Sequence, residues 1–168
     1  MSERSAESTA RRIGWSLVGV QVILFAALVV DPTGGDWSVP RPVSLLGWAM
    51  MLIGFLFAAA SVPDLGSALT ATPEPKHGES LRCDGAYARV RHPIYSAVLL
   101  VVAGRVLQGG SWWLVAVGLL TFGFFSAKAM WEERRLIARY PDYPDYSRHV
   151  PRFVPRLWPR PADGPDAL

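Results

Sequence analysis

The stretch VSLLGWAMMLIGFLFAAASV, residues 43–62, runs for twenty residues without a charged side chain. An α-helix needs about 20 consecutive apolar residues to cross the hydrocarbon core of a bilayer. The stretch therefore predicts a transmembrane helix, and with it an integral membrane protein. The composition of the whole chain agrees, because 51% of its residues are hydrophobic and only 18% are charged, against roughly 25% charged residues in soluble domains.

Three further apolar runs lie on either side of this helix, at residues 13–30, 94–107 and 112–130. The run 13–30 follows Arg11 and Arg12, so a cleaved signal peptide is an alternative interpretation. However, Asp31 and Pro32 come directly after the run, and no small-x-small cleavage site is found there. We therefore predict an uncleaved first membrane span.

The run 94–107 is the shortest of the four. At 1.5 Å per residue its helix would be about 21 Å long, which is short for a crossing. Residues 108–111 (QGGS) then form a predicted tight turn into the run 112–130. The two runs are expected to make a helical hairpin whose first arm is short, tilted or sheltered by other helices. The predicted fold class is all-α: an integral membrane helical bundle with four membrane segments, the last two forming this hairpin.

Lysine and arginine residues are concentrated in the N-terminal tail, the long central loop and the C-terminal tail. The positive-inside rule places these three parts in the cytoplasm. The net charge of +3 then reflects topology and attraction to anionic lipid head groups, so nucleic acid is not an expected partner. We predict one domain with a cytoplasmic tail 1–12, membrane helices 13–30, 43–62, 94–107 and 112–130, a cytoplasmic loop 63–93, a C-terminal segment 131–158 and a disordered end 159–168.

Disulfide and metal chemistry are not expected. The single cysteine, Cys83, lies on the predicted cytoplasmic side, where thiols stay reduced. The three histidines, His77, His92 and His149, have no spacing typical of metal ligands. We therefore predict no metal site.

Polar residues gather at the start of the third apolar run. Pro93 fits the first position of a helix, where its missing N–H costs nothing. The free N–H groups of that first turn, together with Arg89 and Arg91, favour a carboxylate or phosphate. Tyr87 and Tyr95 flank the same point. An alternative is that these residues only anchor a helix end among lipid head groups.

A second set of polar residues lies at the end of the fourth apolar run. Lys128 and Glu132 are spaced i, i+4 and therefore share one helix face. A lysine inside the end of an apolar span is costly unless it reaches a partner or a polar cavity. The pair could equally be a stabilising surface ion pair, and Glu133 could belong to a solvated helix end.

The segments that contain these two sets of polar residues resemble a known protein family. GAYARVRHPIY, and about 35 residues later EERRLIARYPDYPDYSRHVPRFVP, resemble the membrane methyltransferase family that contains isoprenylcysteine carboxyl methyltransferases and phospholipid N-methyltransferases. The resemblance covers roughly the C-terminal half. The matching positions are Gly85, Tyr87, Arg91, His92, Pro93 and Tyr95, then Glu132, Glu133 and Leu136, then Tyr143, Tyr146, Val150 and Pro151.

The resemblance implies an S-adenosylmethionine-dependent methyltransferase without a Rossmann domain, whose cofactor pocket lies at the cytoplasmic membrane face under the C-terminal segment. No Gly-rich dinucleotide fingerprint is present, which agrees. The resemblance places Lys128 where isoprenylcysteine enzymes use a substrate-contacting arginine. If the acceptor is a phenol or an amine, some group must accept its proton, and Glu133 or His92 is the candidate for that role; the candidate catalytic residues are thus Lys128, Glu133 and His92. The implied cofactor-binding residues are Glu79, Ser80, Leu81, Arg82, Tyr87, Arg91, His92, Pro93, Ile94, Tyr95 and Glu132.

Departures from the family pattern bear on the acceptor. Lys128 stands where isoprenylcysteine enzymes have an arginine, and lysine cannot form the bidentate fork to a carboxylate. This departure favours a lipid phenol, enol or amine over a prenylcysteine carboxylate. We expect methyl transfer to a small lipophilic acceptor (a lipid phenol or enol, an amine or a carboxylate) that enters from the membrane, and we expect a bacterial inner-membrane location. The alternatives are a non-catalytic scaffold that keeps the fold and a transporter, which should carry polar residues at mid-bilayer depth.

Overall fold

The computed structural model describes residues 2–65, 81 and 83–155, and the regular structure of this part is helical. Its long helices are α1 (Ser2–Val29), α2 (Arg41–Leu65), α3 (Pro93–Gly109) and α4 (Trp112–Arg139). A 3₁₀ turn (Gly85–Ala88) precedes α3, and the short helix α5 (Tyr143–His149) follows α4.

Two helices extend far beyond the predicted apolar runs, whereas α2 and α3 exceed theirs by at most three residues at each end. α1 is helical from Ser2, within the segment expected to be a tail, and α4 continues to Arg139 although its apolar run ends at Met130. Residues 131–139 are mostly good helix formers, and the first breaker after them is Pro141. Tyr140 before this proline is extended, as expected for a residue in that position. The extension carries the predicted glutamates on a continuous helix.

Three helices of the described part are long and apolar enough to cross a membrane: Arg12–Val29 within α1, Arg41–Ser61 within α2, and α4. α3 is apolar but has 17 residues, about 26 Å in length. Many large apolar side chains of the long helices point outwards, for example Ile23 (69% exposed) and Leu119 (68%). Such exposure suits a protein surrounded by lipid.

α2 and α3 pack with their backbones in close approach. A Cβ atom added to Gly104 of α3 would lie 2.5 Å from the carbonyl oxygen of Gly47 in α2. One added to Gly54, two turns further along α2, would lie 2.8 Å from the carbonyl oxygen of Ala97. Small residues at these positions allow the two helices to touch directly. This contact fixes the start of α3, where the predicted site lies.

At the opposite end of the bundle, side chains form hydrogen bonds with backbone groups at the helix ends. Arg105 Nε donates to the carbonyl oxygen of Leu28, 3.1 Å away, and Trp113 Nε1 donates to that of Ala27 at 2.9 Å. The last carbonyls of α1 have no partner within their own helix and gain one here. At the start of α4, Asp36 accepts a hydrogen bond from the N–H of Trp112 at 2.6 Å. The helices α1, α3 and α4 are thus tied together far from the predicted site.

Candidate active site

His92 is positioned by backbone contacts with the C-terminal segment. It caps the N-terminus of α3, with Pro93 at the first helical position as predicted. The N–H groups of Arg91 and His92 donate to the carbonyl oxygens of Pro151 and Arg152, at 2.9 and 3.2 Å. The two motif segments, far apart in the chain, therefore run side by side, and the imidazole of His92 is held facing α4.

Glu133 is a buried carboxylate surrounded by cations. It is 6% exposed. Its Oε1 contacts His92 Nε2 at 3.0 Å and Arg91 Nη1 at 3.4 Å. Arg152 donates from Nε to Oε1 at 3.0 Å and from Nη2 to Oε2 at 2.6 Å, which is a bidentate pair. A buried charge is tolerated when it is paired and hydrogen-bonded in this way.

Glu132 binds the other side of His92. Tyr95 donates its hydroxyl to Glu132 Oε1 at 2.5 Å, and His92 Nδ1 lies 3.5 Å from Glu132 Oε2. The rings of His92 and Tyr95 are parallel, with centroids 5.2 Å apart. Both nitrogens of His92 therefore face carboxylate oxygens of neighbouring glutamates. Glu132 keeps acceptor capacity for a further donor, because it accepts only one short hydrogen bond within the described residues.

Lys128 is buried one turn before Glu132 and is 6% exposed. Its ammonium donates to Gln21 Oε1 on α1 at 3.1 Å and lies over the rings of Tyr95 and Phe125, at 5.2 and 5.9 Å from their centroids. Within the described part of the chain, no carboxylate lies within ion-pair distance of it. The predicted sharing of one face with Glu132 is correct, but the partner that Lys128 contacts is Gln21.

The C-terminal segment closes over these residues. Tyr146 of α5 donates its hydroxyl to the carbonyl oxygen of Tyr87 at 2.7 Å. Tyr143 is 2% exposed, and burial, followed by the charge of Glu133, raises the pKa of its hydroxyl to about 12. Phe153 packs against the ring of His92, with centroids 6.1 Å apart. The segment shields the His92 side of the site from water.

Most predicted site residues are brought together. Arg91, His92, Tyr95, Lys128, Glu132 and Glu133 are linked by the contacts above. Pro93 is buried at the start of α3, and Ile94 is half-buried beside it. Tyr87 lies on the 3₁₀ turn held by α5, and Leu81 is half-buried. Glu79, Ser80 and Arg82 lie outside the described residues.

Sequence reasoning missed three residues that contact the site. Gln21 is the only amide side chain in the apolar part of α1, a signal that was available. Arg152 and Phe153 directly follow the Val-Pro motif, but the sequence holds many arginines in this region and does not single one out. Their importance arises from where the C-terminal segment folds back.

The arrangement can bind a ligand with groups of both signs. Three cationic side chains, Arg91, Lys128 and Arg152, accompany two carboxylates, Glu132 and Glu133. Glu133 is occupied by its partners, whereas Glu132 and Lys128 have donor or acceptor capacity left within the described residues. A carboxylate, an ammonium and aromatic faces thus lie together beside an apolar bundle.

Comparisons with known proteins point to one family. The sequence profile of the phospholipid methyltransferase family matches residues 43–143. Among curated proteins, the chain is 28% identical to the nickel-cobalt-cadmium resistance protein NccN of Alcaligenes xylosoxydans, over 89% of this chain and 67% of the relative. It is also 28% identical to the protein-S-isoprenylcysteine O-methyltransferase of Schizosaccharomyces pombe, over 73% of this chain and 61% of that protein. The chain thus spans about two thirds of the length of these relatives.

The fold has a solved counterpart. The eukaryotic intramembrane Ras methyltransferase ICMT superposes with a TM-score of 0.61 at 20% sequence identity, covering 92% of this chain and 53% of that one. The family profile matches well over half of the chain and includes both α3 and α4, which carry the His92 and glutamate groups. The chain therefore belongs to the phospholipid methyltransferase family.

Proposed function

We propose that the protein transfers a methyl group from S-adenosylmethionine to a small lipophilic acceptor at the cytoplasmic face of the membrane. One observation carries the proposal: residues from the two separate motifs meet in one site, where Tyr95 donates a hydrogen bond to Glu132 and His92 Nδ1 lies 3.5 Å from Glu132 Oε2. A helix end that merely anchored the protein among lipid head groups would not need its polar residues buried and paired. Family membership supports methyl transfer as the reaction.

The residues present fit S-adenosylmethionine, which combines an ammonium, a carboxylate, an adenine and a sulfonium cation. Glu132 would accept the ammonium. The cationic side, with Arg91 and the start of α3 at Pro93, would receive the carboxylate. The ring of Tyr95 would face the sulfonium. Further binding residues of the proposal are Glu79, Ser80, Leu81, Arg82, Tyr87, His92 and Ile94.

When bound, S-adenosylmethionine supplies an electrophilic methyl group, and the protein has to align the acceptor and exclude water. Phe153 and the C-terminal segment exclude water on the His92 side. Glu133 and Arg152 hold the imidazole in place. Arg152 fixes Glu133 by hydrogen bonds to both of its oxygens, and Glu133 Oε1 contacts His92 Nε2. Where the acceptor has a proton to lose, we propose Glu133 or His92 as the group that accepts it. Lys128 is proposed to contact the acceptor.

The proposed topology has four membrane segments, in α1, α2, α3 and α4, the last two as a hairpin, with both termini and the loop 63–93 in the cytoplasm. The distribution of lysine and arginine supports this orientation. All these parts form one methyltransferase domain in our proposal, with the C-terminal segment 131–158 closing the pocket and a disordered end at 159–168. The cell membrane of a bacterium is the proposed location.

Calorimetry with S-adenosylhomocysteine and detergent-purified protein tests the proposal. We expect saturable binding by the wild type. Glu132→Gln and His92→Ala should each weaken it roughly tenfold or more, since a hydrogen bond to a charged group is worth about 1.5–3 kcal/mol. Asp145→Asn is the matched control, because this carboxylate is exposed on α5. Absence of binding in several detergents and lipids would favour the non-catalytic scaffold.

A further inference from the structure

Gln21 is an unusual residue for its place in the chain. It lies in the 18-residue apolar window Arg12–Val29 of α1, and it is the only asparagine or glutamine in that window. An amide in a membrane helix is costly unless it finds a hydrogen-bond partner. Its oxygen accepts a hydrogen bond from Lys128 Nζ at 3.1 Å. α1 lies outside residues 43–143, so the family profile does not include this partner.

The position of Gln21 is fixed by apolar packing below it. Phe25, one turn further along α1, stacks on Phe125 of α4 with ring centroids 6.2 Å apart. Leu28 follows on the same stripe of α1 and is buried against Leu114. Residues at i, i+4 and i+7 share one helix face, so Gln21 is the polar end of the stripe that packs on α4. The contact with Lys128 therefore belongs to a defined helix interface.

Lys128 has donors to spare. An ammonium carries three N–H donors. Within the described residues one of them meets an acceptor, Gln21, while the aromatic rings of Tyr95 and Phe125 cover the ammonium at 5.2 and 5.9 Å. The side chain is 6% exposed, so bulk water is largely kept away. A buried ammonium in this setting favours a ligand that brings an oxygen acceptor, and most of all a negatively charged one.

We propose that Gln21 is a positioning residue that holds the ammonium of Lys128 and thereby selects an acceptor whose reacting atom is an anionic oxygen. This rests on the proposed function and narrows its acceptor to an ionised phenol, enol or carboxylic acid with an apolar body. A protonated amine would be repelled by Lys128 in a buried site, and the neutral amine, which is the nucleophilic form, brings no negative charge to pair with the ammonium. α1 is thereby part of the acceptor site.

The methyl transfer to this anionic oxygen needs no base. A lone pair of the acceptor oxygen forms the new O–C bond to the methyl carbon. The bond between that carbon and the donor's sulfur breaks, and its electron pair stays on sulfur. The oxygen has already lost its proton when it binds beside Lys128, so no proton moves in this step. One negative and one positive charge are neutralised together, which suits an apolar surrounding.

The test uses full-length protein in nanodiscs of zwitterionic lipid, with dodecanoate, dodecanol and dodecylamine displacing a fluorescent dodecanoate derivative and with empty nanodiscs as the partitioning blank. The variants are Gln21→Glu, which brings a carboxylate against Lys128, Gln21→Leu, and Lys128→Met. Ser16→Ala is the control on the same helix, because Ser16 is exposed and, among the residues that the structure describes, its hydroxyl donates to the carbonyl oxygen of Arg12. S-adenosylhomocysteine binding is measured in parallel for every variant.

We expect the wild type to bind dodecanoate roughly tenfold more tightly than dodecanol, and dodecylamine more weakly than either. Gln21→Glu and Lys128→Met should abolish the preference for dodecanoate, and Gln21→Leu should reduce it several-fold. All should keep S-adenosylhomocysteine affinity within about twofold. The proposal would be overturned by a preference for dodecanoate that survives Gln21→Glu, or by a wild type that prefers dodecylamine or binds no probe. It would also be overturned if the variants were less stable but kept the wild-type preference for dodecanoate. If the wild type does not bind S-adenosylhomocysteine, the proposed function is overturned instead. The preference for dodecanoate can still be measured in that case.

Discussion

Glu133→Gln should lower the stability of the protein because it removes the anion at the centre of a buried cationic group. The glutamine keeps the shape of the side chain, but its amide nitrogen would face the donors of Arg152, which now bind both carboxylate oxygens. Arg91 and Arg152, with side chains 13% and 34% exposed, would lose their charged partner. Breaking a buried ion pair from one side costs about 3–5 kcal/mol.

The lower end of this range applies, because water reaches Arg152 and can replace part of the lost interaction. A loss of about 3 kcal/mol corresponds to a fall in unfolding temperature of roughly 6–12 °C for a chain of this size. The seven tryptophans allow the transition to be followed by intrinsic fluorescence in detergent. The apparent midpoint is compared at one fixed heating rate, since unfolding of such a protein need not be reversible.

Two matched variants make the result interpretable. Asp145→Asn removes an exposed carboxylate that lies 3.8 Å from His149, and should change stability by no more than about 0.5 kcal/mol. Arg152→Ala combined with Glu133→Gln should cost less than the sum of the two single changes, because both break the same contact. A midpoint for Glu133→Gln equal to that of the wild type would refute the view that this carboxylate holds the site together.

Two further predictions concern other parts of the molecule. Gly104→Ala should destabilise the contact between α2 and α3, because the added Cβ would lie 2.5 Å from the carbonyl oxygen of Gly47. Gly19→Ala, which meets no atom within 4 Å, should instead be neutral or stabilising in the same thermal assay; a midpoint for Gly104→Ala at or above that of Gly19→Ala would contradict the packing. Cys83 is exposed, but partial desolvation of its thiol, followed by the charges of Asp84 and Asp142, raises its pKa. Since the thiolate is the reactive form, alkylation at pH 7.5 should be slower than that of free cysteine and should rise steeply with pH, whereas a rate equal to that of free cysteine would contradict this environment.

The sequence determined the membrane character, the position of the apolar helices and the two motifs of the site. Charge-free runs are readable because a bilayer requires them, and a proline such as Pro93 marks a helix start through its missing N–H. The ends of the helices were predicted less accurately than their apolar parts. α4 passes beyond its apolar run because a helix continues through charged residues of high propensity, and hydrophobicity does not report this.

Which polar groups meet depends on how the helices and the C-terminal segment pack against one another. Lys128 and Glu132 share a face of α4, a fact of helical periodicity, yet Lys128 contacts Gln21 and Glu132 contacts Tyr95. Local spacing fixes the direction of a side chain, whereas its partner depends on which helix packs against that direction. Arg152 likewise gains its role because the chain turns back after α5 and pairs with the start of α3. Contacts between residues far apart in the chain are set by the global packing of apolar faces, and no local pattern contains that information.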